Sequence, residues 1–383
     1  MRRPAKLAAL GLVGAVALSA ATVGRDYARA ASLVVEAAGI DGWPGTVAGW
    51  QADAVRTEPL SVPSRHGPLA ARVYTPQGTR RRTVLMFPGV HAGGIDEPRL
   101  VGFAEDLAAY GHTIVTIELP DLKRYTIAAR ASDMIEDAVR WASDRADLAP
   151  DGRVGLVGIS FAGGLAVVAA GRPAVRDRVA FALSFGGHSN LPRTLRYLCT
   201  GRQPDGTIRK PHDYGVVIIL LGAADRLVPA DQVEPLRRGI LTFLEASHVD
   251  LVDKVRAKVI FQRARDVAAT LPEPARTLLN LVNDRNVAVL GPRLLPHVET
   301  ISDDPALSPD RAAPPAAPVF LLHGADDNVI PAVESILLAE HLRPDTQVEV
   351  LLTPLITHAE VDRPTDIVEI WKLVSFWADV LTE

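Results

Sequence analysis

The sequence predicts a mostly parallel, doubly wound α/β sheet with a helical insertion. Three observations predict it. Short apolar, β-branched runs alternate with helix-like segments over residues 55–190. One strand passes directly into a small-residue helix at Gly158-Ile159-Ser160-Phe161-Ala162. The alternation stops over residues 191–311 and resumes over 312–383. Strands buried on both faces read as unbroken apolar runs, and the helices between them make the crossovers that parallel neighbours need. With 48% hydrophobic residues in 383, the chain can bury a large core, which excludes bulk disorder.

The first thirty residues differ from the rest. Arg2, Arg3 and Lys6 precede an uncharged run from Leu7 to Gly24. A basic start followed by an apolar segment is the pattern of a secretory signal, with Ser19-Ala20-Ala21 and Ala28-Arg29-Ala30 as small-residue cleavage sites. The run also approaches the lower limit of about 17 residues for a spanning helix, so residues 1–30 read as a signal peptide or an uncleaved membrane anchor. A buried soluble helix is the third reading. Either main reading exports the remainder of the chain or anchors it outside the cytoplasm, with membrane association through residues 7–24. Residues 31–54 form a helical lead-in broken at Trp43-Pro44-Gly45.

The core follows. Leu69–Tyr74 alternates in polarity and suits a strand, and Thr83–Phe87 is a short apolar run ended by Pro88-Gly89. Phe103–Tyr110 has helical spacing, Thr113–Ile117 is a β-branched strand, and Ser132 with Asp133 and Glu136 fits a capped helix start. Val154–Ile159 is a strand, Ala162–Ala170 a helix, and Val179–Phe185 a strand. Residues 191–311 hold helix-like pieces and several prolines, a length that marks a lid or cap. The proline-rich stretch 312–318 closes it as a stiff linker. Then come Val319–Leu322 (strand), Ala332–His341 (helix), Val348–Leu352 (strand) and Val368–Leu381 (helix).

Composition narrows the chemistry. With 41 Lys+Arg against 45 Asp+Glu, the chain has no basic excess for phosphate neutralisation, so no nucleic-acid partner is expected. One cysteine, Cys199, excludes an intrachain disulfide and a Cys-based zinc cluster. No metal motif, P-loop or dinucleotide fingerprint is present, and no cofactor is expected.

The strand–Ser160–helix string has the layout that pushes a serine hydroxyl above the end of a sheet; its plain alternative is a connecting turn. A serine hydroxyl needs a base within hydrogen-bond reach and an acid to orient that base. His358, in the loop after the last strand, is the base by placement. Of the remaining histidines, His91 and His188 follow strand ends and can line a pocket, His323 reads as structural, and His66, His112, His212 and His297 read as surface or turn residues. Asp327 follows a glycine turn at a strand's carboxyl end and is the preferred acid. Gly222-Ala223-Ala224-Asp225 with Pro229 repeats the same spacing after an apolar run, Val216–Leu221, so Asp225 is the alternative acid and Asp326 a distant third. Two backbone amides would hold a developing oxyanion: Phe161, at the start of the elbow helix, and Val90, with His91 next.

Through Pro88-Gly89-Val90, Gly158-Ile159-Ser160-Phe161-Ala162, Gly324-Ala325-Asp326-Asp327 with Pro331, and His358, the sequence resembles the α/β-hydrolase superfamily, and looks most like its esterase and dienelactone-hydrolase-like branch. The resemblance covers residues 55–190 and 312–383, with the insertion where the family carries its lid. It implies an eight-stranded, mostly parallel sheet and a Ser-Asp-His triad. Pro88 stands where lipases of the His-Gly-Gly-Gly type have their leading histidine, a departure at the oxyanion turn.

The expected activity is a serine hydrolase that cleaves a carboxylic ester, lactone or thioester through an acyl-enzyme, with a small ester-like molecule as partner. A non-catalytic binding member of the fold, and an acyltransferase or peptidase using the same residues, are the alternatives. Leu241, Phe243, Leu244, Val259, Ile260, Phe261, Leu278, Leu279 and Leu281 of the insertion either roof an apolar pocket or pack the insertion onto the core.

Overall fold

The computed structural model describes residues 24–35, 52–78, 80–356 and 367–383. Eight strands form one sheet: β1 (Val55–Val62), β2 (Leu69–Pro76), β3 (Thr83–Phe87), β4 (Thr113–Ile117), β5 (Val154–Ile159), β6 (Val179–Phe185), β7 (Val319–Gly324) and β8 (Val348–Thr353). Their order across the sheet is β1-β2-β4-β3-β5-β6-β7-β8. β2 runs antiparallel to both neighbours, and every pairing from β4 to β8 is parallel. This is the α/β-hydrolase fold, carried by the strand order itself.

The predicted strands all form. β1 is an addition: its burial pattern is mostly solvent-facing, and Arg56, Thr57, Glu58 and Pro59 give it no apolar alternation. An edge strand tolerates charge and proline because one side of its backbone faces solvent.

Helices cover both faces. Residues 24–35 form α1, followed by α2 (Pro98–Ala109), the short α3 (Pro120–Lys123), α4 (Arg130–Ser143) and α5 (Phe161–Gly171). After the insertion come α13 (Val333–Leu342) and α14 (Ile367–Thr382). The strand period of two splits β3: Val84 and Met86 pack with α1, α2 and α14, and Leu85 and Phe87 with α4, α5 and the insertion. α4 begins earlier than expected. Ala129 precedes it with no side-chain cap, and Ser132 is buried in the first turn, donating to the Ala306 carbonyl at 2.7 Å. Glu136 meets Arg65 at 2.5 Å and Arg172 at 3.0 Å. The Ser-x-x-x-Glu pattern therefore ties α4 to its neighbours instead of capping it.

The boundary at residue 30 falls inside α1, whose Ala30 and Leu33 are buried in the core. Tyr27 stacks on Trp371 at 5.5 Å, and Asp26 pairs with Arg81 at 2.5 Å. The apolar run up to residue 23 and Trp43-Pro44-Gly45 lie outside the described residues. Among the described residues, no helix is long and apolar enough to cross a membrane.

The insertion, between β6 and β7, is helical: α6 (Leu191–Thr200), α7 (Asp213–Leu227), α8 (Ala230–Asp250), α9 (Lys254–Thr270), α10 (Ala275–Asn283), α11 (Val287–Leu294) and α12 (Val298–Ser302). Buried Glu334 on α13 ties it down, accepting from Arg193 Nε at 2.6 Å and from the Ser189 and Asn190 amides at 3.0 Å.

Candidate active site

β5 ends at Ile159, and Ser160 takes φ 55° and ψ −127° before α5 begins. That region costs a residue with a side chain on the order of 1–3 kcal/mol and persists only where surroundings impose it. They do here. The Ser160 amide donates to Phe185 O at 2.7 Å, and Ser160 O accepts from Gly163 N at 2.8 Å. A Cβ at Gly158 would collide with the Ala162 carbonyl, and one at Gly163 would stand 2.5 Å from Ser184 Oγ. The small residues flanking Ser160 let α5 turn back tightly over β5.

The Pro88-Gly89-Val90 turn after β3 crosses over this serine. A Cβ on Gly89 would sit 2.9 Å from Ser160 Cβ. Val90, Phe161 and Ser160 all line one cavity of about 470 Å³ between the sheet's carboxyl end and the insertion. The Phe161 amide is the first of α5, one of the amides that a helix leaves without an internal partner. The cavity wall is mostly apolar: Leu100 and Phe103 from α2, Ile159 and Phe185 from the sheet, Leu195 and Leu198 from α6. Ile218 and Ile219 from α7 and Leu244 from α8 complete it.

Of the insertion residues considered as a roof, Leu244 alone lines this cavity. Phe243, Ile260, Leu278 and Leu279 are buried within the insertion's own packing, whereas Leu241 and Val259 are 40% and 61% exposed. The rest of the roof is drawn from α6, α7 and other positions of α8, among them Ser247 and His248. Helical periodicity alone does not say which apolar face meets the core and which meets a neighbouring helix.

The acidic candidates separate by position. Asp327 is 1% exposed, just beyond β7. Its Oδ1 accepts the amides of Val329 at 2.7 Å and Ile330 at 3.0 Å, and both those residues line the cavity. Its Oδ2 lies 3.4 Å from His323 Nε2. Asp326 points outward, its side chain 79% exposed and paired with Arg209 at 3.0 Å. Asp225 is on α7 rather than in a turn; its side chain is 52% exposed beside Arg226 and does not line the cavity. The preceding run Val216–Leu221 is helical, because neighbouring insertion helices bury it where a sheet edge would otherwise have to. His358 lies outside the described residues.

His91 lines the cavity, as expected. His188 does not: it is fully buried beneath the elbow, stacked on Phe161 at 4.8 Å with Nε2 2.7 Å from Leu307 O. His323 is structural, with its ring nitrogens 2.7 Å from Ser335 Oγ and 2.8 Å from Ile330 O. His112, read as a surface or turn residue, is 2% exposed, and burial pushes it down to about 4. His212, also read as surface, borders the cavity.

Three residues that the sequence did not point to, Tyr214, Tyr125 and His248, gather at the turn after β3. Tyr214, at the start of α7, donates from its hydroxyl to Val90 O at 2.6 Å. Tyr125 packs edge-on against the Tyr214 ring, with centroids 6.1 Å apart, and lines the same cavity. Burial, then Tyr125, hold the Tyr214 hydroxyl protonated well above the ordinary tyrosine range. His248 on α8 shares a 3.2 Å contact with His91 Nε2. Burial and the neighbouring His248 push His91 down to about 4, so it is a neutral ring at physiological pH. Near them, Glu97 caps α2 and accepts from Arg99 at 2.7 Å; burial raises its carboxyl, and Arg99 outweighs that to hold it below the usual range. Among the described residues, no group of three His, Cys, Asp or Glu is placed to share a metal ion.

No protein-family model matches the chain, and no curated protein does. Among solved structures, an esterase of Pyrobaculum calidifontis is similar over 86% of this chain and 85% of its own, at 18% identity and a TM-score of 0.46. Est1E from Butyrivibrio proteoclasticus is similar at 13% identity over 85% of this chain and 97% of its own, with a TM-score of 0.44. A dienelactone hydrolase from Anabaena variabilis is similar at 15% identity over 85% and 96%, with a TM-score of 0.42.

Proposed function

We propose that this protein is a serine hydrolase cleaving carboxylic esters that carry a sizeable apolar group. The observation that carries the reading is Ser160 at φ 55°, opening on a mostly apolar cavity of about 470 Å³. Such a volume lies in the range of small-molecule sites, about 300–1,000 Å³.

In this reading His358 takes the proton from the Ser160 hydroxyl as the oxygen attacks the ester carbonyl. Asp327 orients the imidazole and stabilises its charged form. The amides of Phe161 and Val90 hold the oxyanion, the alcohol leaves with the proton from His358, and water then releases the acid by the same steps. Lactones and thioesters fit the same chemistry and compete as substrates.

A panel of nitrophenyl esters from acetate to decanoate tests the cavity's role. Each methylene buried in an apolar wall contributes about 0.8 kcal/mol, so kcat/KM is expected to rise up to about fourfold per carbon until the cavity is full. A flat series, or acetate as the best substrate, contradicts the reading of the cavity as an acyl or alcohol site.

A further inference from the structure

The turn between α8 and α9 carries an apolar surface that nothing in the fold covers. Leu251, Val252, Val255 and Val259 are 61%, 76%, 78% and 61% exposed. Val255 and Val259 are one helical turn apart and share the outward face of α9, opposite buried Ala257, Ile260 and Ala264. Leu251 belongs to this surface and also lines the cavity that holds Ser160, so the patch is continuous with the mouth of the site.

The charge around it is mostly basic. α9 carries Lys254, Arg256, Lys258, Arg263 and Arg265 against Asp266, and the turn before it adds Asp250 and Asp253, which leaves a local excess of two positive charges in a protein of net charge −4. Helical geometry places Lys254, Lys258 and Arg265 on one side of the valine stripe and Arg256 and Arg263 on the other. All five are exposed, and among the described residues none forms an ion pair. An apolar stripe with basic flanks is the arrangement by which a helix lies in the interface of an anionic bilayer.

We propose that the outward face of α9, with the turn before it, docks on an anionic lipid surface and presents the cavity mouth to ester substrate held there; the second half of this statement rests on the hydrolase reading. The short aliphatic side chains suit shallow insertion among lipid headgroups, and they include no aromatic anchor of the kind that fills a pocket on a protein partner. Each basic residue near an anionic membrane contributes attraction that salt screens.

The test places a reporter on the patch of the full chain. Val255→Cys carries an environment-sensitive dye; Cys199 is buried, so the new thiol is the one labelled. With vesicles of phosphatidylcholine and phosphatidylglycerol, dye emission is expected to rise and shift to the blue, with little response to phosphatidylcholine alone. Adding Lys254→Gln and Lys258→Gln is expected to weaken the response about 25-fold in vesicle concentration, and 0.5 M salt to suppress it. Four results overturn the proposal: no response to any vesicle, an equal response to neutral vesicles, chain bound to vesicles with a silent dye, or a dye response without lipid that marks the patch as a contact between copies. Fluorophosphonate labelling of Ser160 on the same samples keeps the two readings apart. Labelling without a lipid response sinks the docking surface alone, and a lipid response without labelling sinks the hydrolase.

Discussion

Ser160 and Asp327 are each defined by what surrounds them more than by their own chemistry. The serine is forced into a backbone conformation that only close-packed glycines allow, and the aspartate is buried with two amides on one oxygen. Asp327→Asn keeps an oxygen for those amides while removing the charge that, in the proposed mechanism, orients the base. Turnover of a nitrophenyl ester is expected to fall about 10⁴-fold with the fold intact, whereas Asp225→Asn, altering an exposed helix position, leaves it unchanged. The opposite pattern assigns the acid to Asp225. Tyr214 acts through Val90. Tyr214→Phe keeps the ring and loses the hydrogen bond to Val90 O, worth about 1 kcal/mol; if the Val90 amide holds the oxyanion as proposed, kcat is expected to fall about fivefold with KM nearly constant. A rise in KM at constant kcat would make Tyr214 a wall of the cavity and nothing more. The sequence offered Asp327 and Asp225 alike, because each follows a glycine after an apolar run; spacing alone does not show that the second run is a helix that keeps Asp225 off the cavity. Tyr214 and His248 were not legible, since they sit in helices without a motif and act only through contacts with a turn distant in sequence.

At the scale of elements, the sequence read best where burial on both faces left one solution. β3, β4 and β5 are unbroken apolar runs and formed as expected. It read poorly where one pattern has two outcomes. Val216–Leu221 is equally apolar as strand or buried helix, and length decides for the 15-residue α7. Ser132 and Glu136 form a cap-like pair that serves instead as a tether between elements. β8 and α14 meet at Glu349, which burial and then Asp379 push up to about 7. A carboxyl raised in the folded state from its ordinary 4.5 holds its proton longer than in the unfolded chain. Its contribution to stability is fully present below pH 4.5 and is lost as pH rises through 7. Glu349→Gln is therefore expected to flatten the decline of Tm between pH 5 and pH 8. Parallel Tm profiles for the two proteins would show that Glu349 titrates normally.

Across the whole molecule, one sheet serves three bodies. Its strand ends hold Ser160 and Asp327, its flanking helices make the core, and the insertion closes the space above. The insertion is not loosely appended: Glu334 binds it to α13, and Tyr214 and His248 bind it to Val90 and His91 in the turn after β3. α1, whose sequence reads as the end of a leader, is packed into the same core through Ala30 and Leu33. Hydrolysis in the proposed mechanism depends on a reactive Ser160 hydroxyl facing the cavity. The most direct measurement is the intact mass and peptide map of the folded chain after a fluorophosphonate, alongside ester hydrolysis by Ser160→Ala. A single adduct on Ser160 and loss of hydrolysis in the variant are the predicted result. Undiminished hydrolysis by Ser160→Ala, or an adduct on another residue, would contradict it.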